Sequence, residues 1–396
     1  MKKVTLVFFD AGGGHRSATN ALRTVITRQQ RPWCVEALNL QELLDPMDPF
    51  LRYTGTRLQD VYNRILANGY TLGAPQMLRI LHLLVRLYHR RMVPVIQRYW
   101  AAARPDLVVS CIPNFNRTLA VSVRRALPGV PFATILTDLA DYPPHFWIEP
   151  ESEFLICGTP RAAQQARASG HAANRVFSVS GMILNPAFYE SPPVNRAEER
   201  KRLRLDPELP TGLILFGGAG AKVMRDIVER LDDSRLQLQL IAICGHNRKL
   251  ADKLRFRRTR IPLFVEGFTT KVPYYMQLSD FLIGKTGPGS ISEAVAMKLP
   301  VIVERNAKTL PQERYNADWI LENGVGMVLP TFRAIVSAVE QLLDPAILAR
   351  CRARCAQMNN QAVFEIPGYL EQILAQAESE LSLTTSVTSR SDPGGE

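Results

Sequence analysis

Eight short apolar runs, grouped four and four along the chain, set the tightest limit on the fold. The first group is VTLVFF (4–9), DLVVSC (106–111), PFATILT (131–137) and FLICG (154–158). The second is GLILFGG (212–218), LQLIAICG (238–245), DFLIGKTG (280–287) and LPVIVE (299–304). The runs are continuous rather than alternating, as a strand buried on both faces requires, and helical stretches separate them. Strands that alternate with helices form parallel sheets, so the two groups predict two α/β domains, each doubly wound. At 396 residues the chain has the length that two such domains need.

Between the groups lies NPAFYESPPVNRAEERKRLRLDPELP (185–210), proline-bearing, highly charged and without a strand pattern. It predicts an N-terminal domain over 1–190, a linker over 191–210 and a C-terminal domain over 211–365. A closing helix is expected over 366–381. The polar stretch SLTTSVTSRSDPGGE (382–396) predicts a disordered tail.

A formal charge of +11 calls for a polyanionic neighbour: nucleic acid, an anionic membrane surface or a phosphorylated substrate. No helix-turn-helix, zinc finger or RNA-binding aromatic signature supports nucleic acid. No apolar run reaches the length of a membrane span. In the opening MKKVTLVFFDAGGGH, Asp10 cuts the apolar stretch too short for a signal peptide, which predicts a first strand and a cytoplasmic protein. The six cysteines are scattered, and Cys351 and Cys355, one helical turn apart, lack further ligands; reduced thiols and no metal site are expected.

Residues 51–104 stand apart. Arg52, Arg57, Arg64, Arg79, Arg86, Arg90, Arg91, Arg98 and Arg104 occur there with Asp60 as the one acid, interleaved with leucines and aromatics at helical spacing. Two readings are open: a helix lying in a membrane interface, or a core helix with a solvated basic face.

Three glycine-rich turns carry candidate chemistry. DAGGGHRSA (10–18) and FGGAGAK (216–222) each follow a strand, and GKTGPGSISEA (284–294) leads from a strand into a helix. Free amides and the positive dipole end at such a helix start suit a diphosphate. Ser290 and Glu293 have the spacing of a capping box, so they either cap that helix or, for Glu293, accept hydrogen bonds from ribose hydroxyls.

DAGGGHRSA, together with VEGFTTKVPYYMQLSDFLIGKTGPGSISEAVAMKLPVIV (265–303) and QERYN (312–316), resembles the family of monogalactosyldiacylglycerol synthases and processive diacylglycerol glucosyltransferases. It is similar, more distantly, to the N-acetylglucosaminyltransferase that makes lipid II. The resemblance implies a GT-B fold, two Rossmann-like domains facing a cleft. It also implies inverting transfer of a hexose from a UDP-hexose to diacylglycerol without a metal or other cofactor, by an enzyme peripheral on the inner face of the cell membrane. By position, Phe268 would meet uracil through its backbone and Glu293 the ribose. Gly217, Gly218, Ala219 and Gly220 would hold the diphosphate with Thr286, Gly287, Pro288, Gly289 and Ser290. Gln312, Glu313 and Asn316 would bind the hexose, Gly13 and Gly14 would face the acceptor, and Arg86, Arg90 and Arg91 the anionic membrane.

Inverting transfer needs a base for the acceptor hydroxyl. His15 leads, because an imidazole titrates near neutrality and its turn sits at the C-terminal end of a strand. Asp138, in TDLADYPPHFW (137–147), is the competing base or the orienter of His15. One departure from the family stands in GMILNPAF (181–188), where Ile183 and Asn185 replace an expected proline and arginine and remove a cationic contact. The alternatives are a UDP-sugar 2-epimerase on the same fold and transfer to another lipid acceptor.

Overall fold

The structure, a computed structural model, describes residues 1–10, 13–47, 51, 55, 74–190 and 192–388. Its two six-stranded sheets are parallel throughout. The first contains β1 (Lys2–Phe8), β2 (Trp33–Asn39), β3 (Leu107–Ser110), β4 (Phe132–Ile135), β5 (Phe154–Cys157) and β6 (Val176–Ser178), in the order β2-β1-β3-β4-β5-β6. The second contains β7 (Thr211–Leu215), β8 (Gln239–Ile243), β9 (Leu263–Glu266), β10 (Phe281–Gly284), β11 (Val301–Glu304) and β12 (Gly326–Leu329), in the order β12-β11-β10-β7-β8-β9.

The eight strands expected from apolar runs are the eight inner strands, and the four that escaped, β2, β6, β9 and β12, are the four sheet edges. Burial explains the split. Strands β3, β4, β5, β7, β8 and β10 are buried at every position, whereas the edge strands are mostly half-exposed. An edge strand needs no continuous apolar run, so it leaves a weak pattern.

In each sheet the winding reverses once, between β1 and β3 and between β7 and β10. The crevice beyond the strand ends at such a reversal is where open α/β sheets bind ligands. The turn after β1 carries His15, the turn after β7 carries Gly217 and Gly218, and the turn after β10 carries residues 285–290. All three glycine-rich turns therefore lie at reversals.

The expected linker is not a loose tether. Its residues form the short helix Arg196–Arg202 and dock on the C-terminal domain, and another short helix, Ala187–Glu190, precedes it. Arg200 is buried and donates to the carbonyls of Leu278, Pro207 and Leu209 and to Asp280, and Asp280 also receives Arg196 at 2.8 Å and Arg352 at 2.5 Å. A charged segment reads as solvated in sequence. Here its arginines converge on one carboxylate and on carbonyls left over at strand and helix ends.

The closing helix starts earlier and runs further than expected, Ala362–Thr388 rather than 366–381, so residues 382–388 of the expected tail are helical. Residues 389–396 lie outside the described residues. The helix returns to the first domain, where Ile366, Leu370, Ile373 and Leu374 join Val4, Leu6, Leu22 and Ile26 in one core. Arg175 clamps it through Glu380 at 2.7 Å, with its guanidinium over the Phe154 ring at 4.3 Å.

The arginine-rich region is helical over Ala74–Ala103; Arg52, Arg57, Arg64 and Asp60 lie outside the described residues. The helix divides into a buried stretch and an exposed one. Met92, Val93, Ile96 and Trp100 are buried in the first domain, while Leu83, Leu84 and Leu87 are 56%, 43% and 66% exposed beside the exposed Arg86, Arg90 and Arg91. No described helix is long and apolar enough to cross a membrane.

Candidate active site

A cavity of ≈ 530 Å³ opens between the two sheets' reversals. From the first domain Gly13, Gly14, His15 and Asp138 line it. From the second come Gly217, Gly218, Phe268, Gly287, Pro288, Gly289, Ser290, Glu293, Gln312 and Glu313. A second, more open crevice, beside Tyr142, Arg161, Tyr315 and Asp318, contains none of these turn residues.

On the first domain's side, the helix Gly14–Arg28 begins at Gly13, whose φ of 79° lies in the left-handed region where glycine costs nothing. That turn swings His15 toward the cavity, where its Nδ1 lies 3.0 Å from Thr137 Oγ1 and its ring centroid 5.9 Å from that of Trp147. Burial lowers the imidazole pKa to about 4, against an opposing backbone hydrogen bond at Cys111. The ground for ranking His15 first, titration near neutrality, thus fails: desolvation disfavours the imidazolium, and no carboxylate compensates.

Asp138 moves the other way. Burial pushes its carboxyl up to about 7, partly offset by a hydrogen bond from Trp147 Nε1 at 2.8 Å to Oδ2. Across the cleft, the charge of Glu313 raises it further and that of Lys285 lowers it. Among the described residues no hydrogen bond joins Asp138 to His15: Trp147 holds Asp138 and Thr137 lies beside His15.

On the second domain's side, β10 ends in a turn that starts the helix Pro288–Ala296 with Gly287 as its N-cap and Pro288 at the first position. No side chain caps it, and Ser290 Oγ turns back to the Gly287 carbonyl at 3.3 Å. The capping-box reading therefore falls, because the N-cap is Gly287, three residues before Ser290. Among the described residues Glu293, on the cavity wall, has no compensating charge or side-chain hydrogen bond, and burial lifts its carboxyl to about 7. Such a group is retained at a cost in stability. Glu293→Gln is expected to raise the melting temperature of the ligand-free protein and weaken UDP binding about tenfold. Differential scanning calorimetry with UDP titration checks both, since a mere cap would give a lower melting temperature and unchanged affinity.

With the site drawn, comparison with known proteins becomes specific. Residues 213–386 match the model of the glycosyltransferase family 28 C-terminal domain. The chain is 28% identical to the monogalactosyldiacylglycerol synthase of Spinacia oleracea, over 95% of this chain and 73% of that protein. To monogalactosyldiacylglycerol synthase 1 of Arabidopsis thaliana it is 27% identical, over 97% of this chain and 73% of the relative. The chain is a UDP-sugar glycosyltransferase. Among solved structures, MurG of Acinetobacter baumannii superimposes with a TM-score of 0.60 at 14% identity, covering 94% of this chain and all of that one. The UDP-GlcNAc 2-epimerase of Neisseria meningitidis, solved with UDP-GlcNAc, gives 0.60 at 12% identity, over 94% and 100% of the two chains. These likenesses show the GT-B fold.

In this glycosyltransferase several expected contacts are built differently. Asn316 is fully buried and off the cavity lining, and its Nδ2 donates to the Thr286 carbonyl at 2.6 Å, which shapes the turn. Thr286 is also buried, and its hydroxyl supports Glu313 Oε2 at 3.3 Å. Ala219 and Gly220 do not line the cavity. Arg86, Arg90 and Arg91, expected outside the donor site, lie on the exposed part of the Ala74–Ala103 helix. Gln312 does line it, and its Oε1 is buried without a hydrogen-bond partner, an acceptor open to a hydroxyl. Phe268 is 59% exposed and stacks on His246 with centroids 4.0 Å apart.

Sequence reading missed Lys285. Among the described residues it is the one Lys or Arg side chain lining the cavity, and its Nζ lies 3.0 Å from Glu313 Oε1. The side chain runs between two of the glycine turns: a methyl group on Gly287 would lie 2.9 Å from its Cε, and one on Gly217 3.8 Å. Glycine at 287 thus leaves room for this path, and a side chain there would push the end of Lys285 aside. At the other gap in the family pattern, Asn185 merely starts a helix, with Oδ1 taking the Ala187 N–H at 2.9 Å. The available signal was the lysine within GKTGPGS, directly ahead of the amide cluster.

Proposed function

We propose that the protein transfers a hexose from a UDP-hexose to the free hydroxyl of a glycerolipid, diacylglycerol in the first instance, with inversion, at an anionic membrane surface on the cytoplasmic side. The observation that carries the reading is the cavity itself. A carboxyl with a pKa of about 7 on one domain faces, across the cleft, a lysine and the amide-rich start of a helix on the other. The relatives' names supply the acceptor class.

In this scheme Asp138, ionised, takes the proton of the acceptor hydroxyl. The oxygen then attacks the anomeric carbon from the face opposite UDP, and the bond from that carbon to the diphosphate oxygen breaks with its electron pair on UDP. Lys285 and the amides at residues 287–290 receive that charge; the residues thereby perform the leaving-group role without a metal. Glu293 takes the ribose, Gln312 and Glu313 the hexose hydroxyls, and His15, neutral at pH 7, positions the acceptor.

Mass spectrometry of the lipid product formed in diacylglycerol-containing vesicles, with UDP-galactose and UDP-glucose in competition, tests the function, and NMR of the anomeric proton tests inversion. A hexosyl-diacylglycerol of β configuration is expected. Failure with every common UDP-hexose and lipid alcohol would sink the proposal.

The epimerase alternative shares the fold, since a 2-epimerase is among the structural neighbours. Against it stands the exposed Leu83, Leu84 and Leu87 surface beside Arg86, Arg90 and Arg91, which a water-soluble sugar nucleotide does not need. Reversing the three arginines to Glu is expected to weaken sedimentation with anionic vesicles about a hundredfold, on the scale of a kilocalorie per cation at the surface. Unchanged sedimentation would make them solvated surface only. UDP-GlcNAc turnover without any acceptor would favour the epimerase.

A further inference from the structure

The acceptor side of the cavity has an apolar wall. Phe9 and Phe115 meet edge to face with centroids 4.9 Å apart, and Pro113, Phe146 and Ile183 join them. Asn114 lies in this wall, in the loop after β3 at the first sheet's reversal. Three features fix it. Its backbone is left-handed, with φ of 67°; its N–H donates to the Phe146 carbonyl at 2.6 Å; and its Oδ1 lies 3.1 Å from Nδ1 of His82. An amide oxygen only accepts, so His82 donates and the Asn114 NH₂ points the other way. Among the described residues, that NH₂ has no hydrogen-bond partner. The other carboxamide lining this side, Gln41, is engaged through Nε2 with Asp45 Oδ1 at 3.3 Å.

A rigid donor that no described residue pairs, in an apolar wall, discriminates between ligands. A ligand that shields it from water must return an acceptor or lose affinity. We infer that Asn114 reads the ester carbonyl of the lipid acceptor and thereby selects diacyl over dialkyl glycerolipids. The inference rests on the lipid-acceptor reading above. An ester carbonyl is a strong acceptor a few bonds from the glycerol hydroxyl that Asp138 addresses, and an ether oxygen is a weak one. His82 stands next to the exposed Leu83 on the Ala74–Ala103 helix, so the stretch that faces lipid also holds the reader in place.

The test uses the full chain, saturating UDP-hexose, and vesicles carrying either 1,2-diacylglycerol or 1,2-dialkylglycerol of matched chain length. The wild type is expected to favour the ester about five- to tenfold in kcat/KM, the worth of one such hydrogen bond. Asn114→Asp tolerates the left-handed backbone and still accepts from His82, but lacks the N–H; Asn114→Gly keeps the backbone and removes the side chain. Both should bring the ester-to-ether ratio to about one, through loss on the ester, with UDP affinity retained. A wild-type ratio near one, or a ratio unchanged in both variants, overturns the inference while leaving glycerolipid transfer intact. Turnover of neither glycerolipid overturns the lipid-acceptor reading, and the inference with it.

Discussion

Asp138→Asn lowers turnover by about a hundred- to ten-thousandfold, the range that a positioned proton acceptor contributes. The acid limb of the pH profile identifies the base independently of the mutant. A base must be ionised, so with the Asp138 carboxyl at about 7 the rate rises with pH up to about 7 and levels above it. Were His15 the base, the limb would sit near pH 4, where burial has placed its imidazole. Glu293 also titrates near 7, so the profile is measured in kcat at saturating UDP-hexose, with Glu293→Gln as control. In Asp138→Asn the residual rate is flat across pH 6 to 8. His15→Ala is slower than wild type but keeps the limb. A limb near 4, or one that persists in Asp138→Asn, would return the role to His15.

Lys285→Met lowers kcat about a hundred- to a thousandfold, the loss seen when one preorganised charge or donor is withdrawn from a developing anion. The physical ground is the position of the ammonium, threaded past Gly287 and held by Glu313, where the departing diphosphate gains charge. A binding ratio separates this role from a structural one. Wild type is expected to bind UDP far more tightly than uridine, and Lys285→Met to bring the two affinities together while uridine binding stays as it was. Lys285→Arg retains part of the discrimination. Calorimetric titration with UDP, UMP and uridine reads it directly. Wild-type turnover is expected to persist in excess EDTA. An unchanged UDP-to-uridine ratio in the variant would remove Lys285 from the diphosphate.

Much of the site was legible because its geometry is local. A strand, a glycine turn and a helix start are consecutive in sequence, so His15, Gly217, Gly287 and Glu293 could be placed at strand ends before any sheet order was known. Asp138 was legible for the same reason, standing just after β4. The roles within the site were less legible, because they depend on what surrounds each group. The two candidate bases exchange order once burial acts on them: it disfavours the charged form in both, which lowers the imidazole and raises the carboxyl.

Sequence by itself determined the two doubly wound domains, the eight inner strands and the glycine turns that close them, since strands buried on both faces must be continuously apolar. Tertiary structure alone decided the four edge strands, whose half-exposed faces impose no such pattern. It also decided the return of the Ala362–Thr388 helix to the first domain, and the docking of the charged 191–210 segment through Arg200 and Asp280. These depend on partners more than 70 residues away, as Arg200 and Asp280 are, and no local period encodes a distant partner. The same holds for Lys285: its charge was visible in sequence, but only the facing of two domains brings it to the cavity that Asp138 also lines.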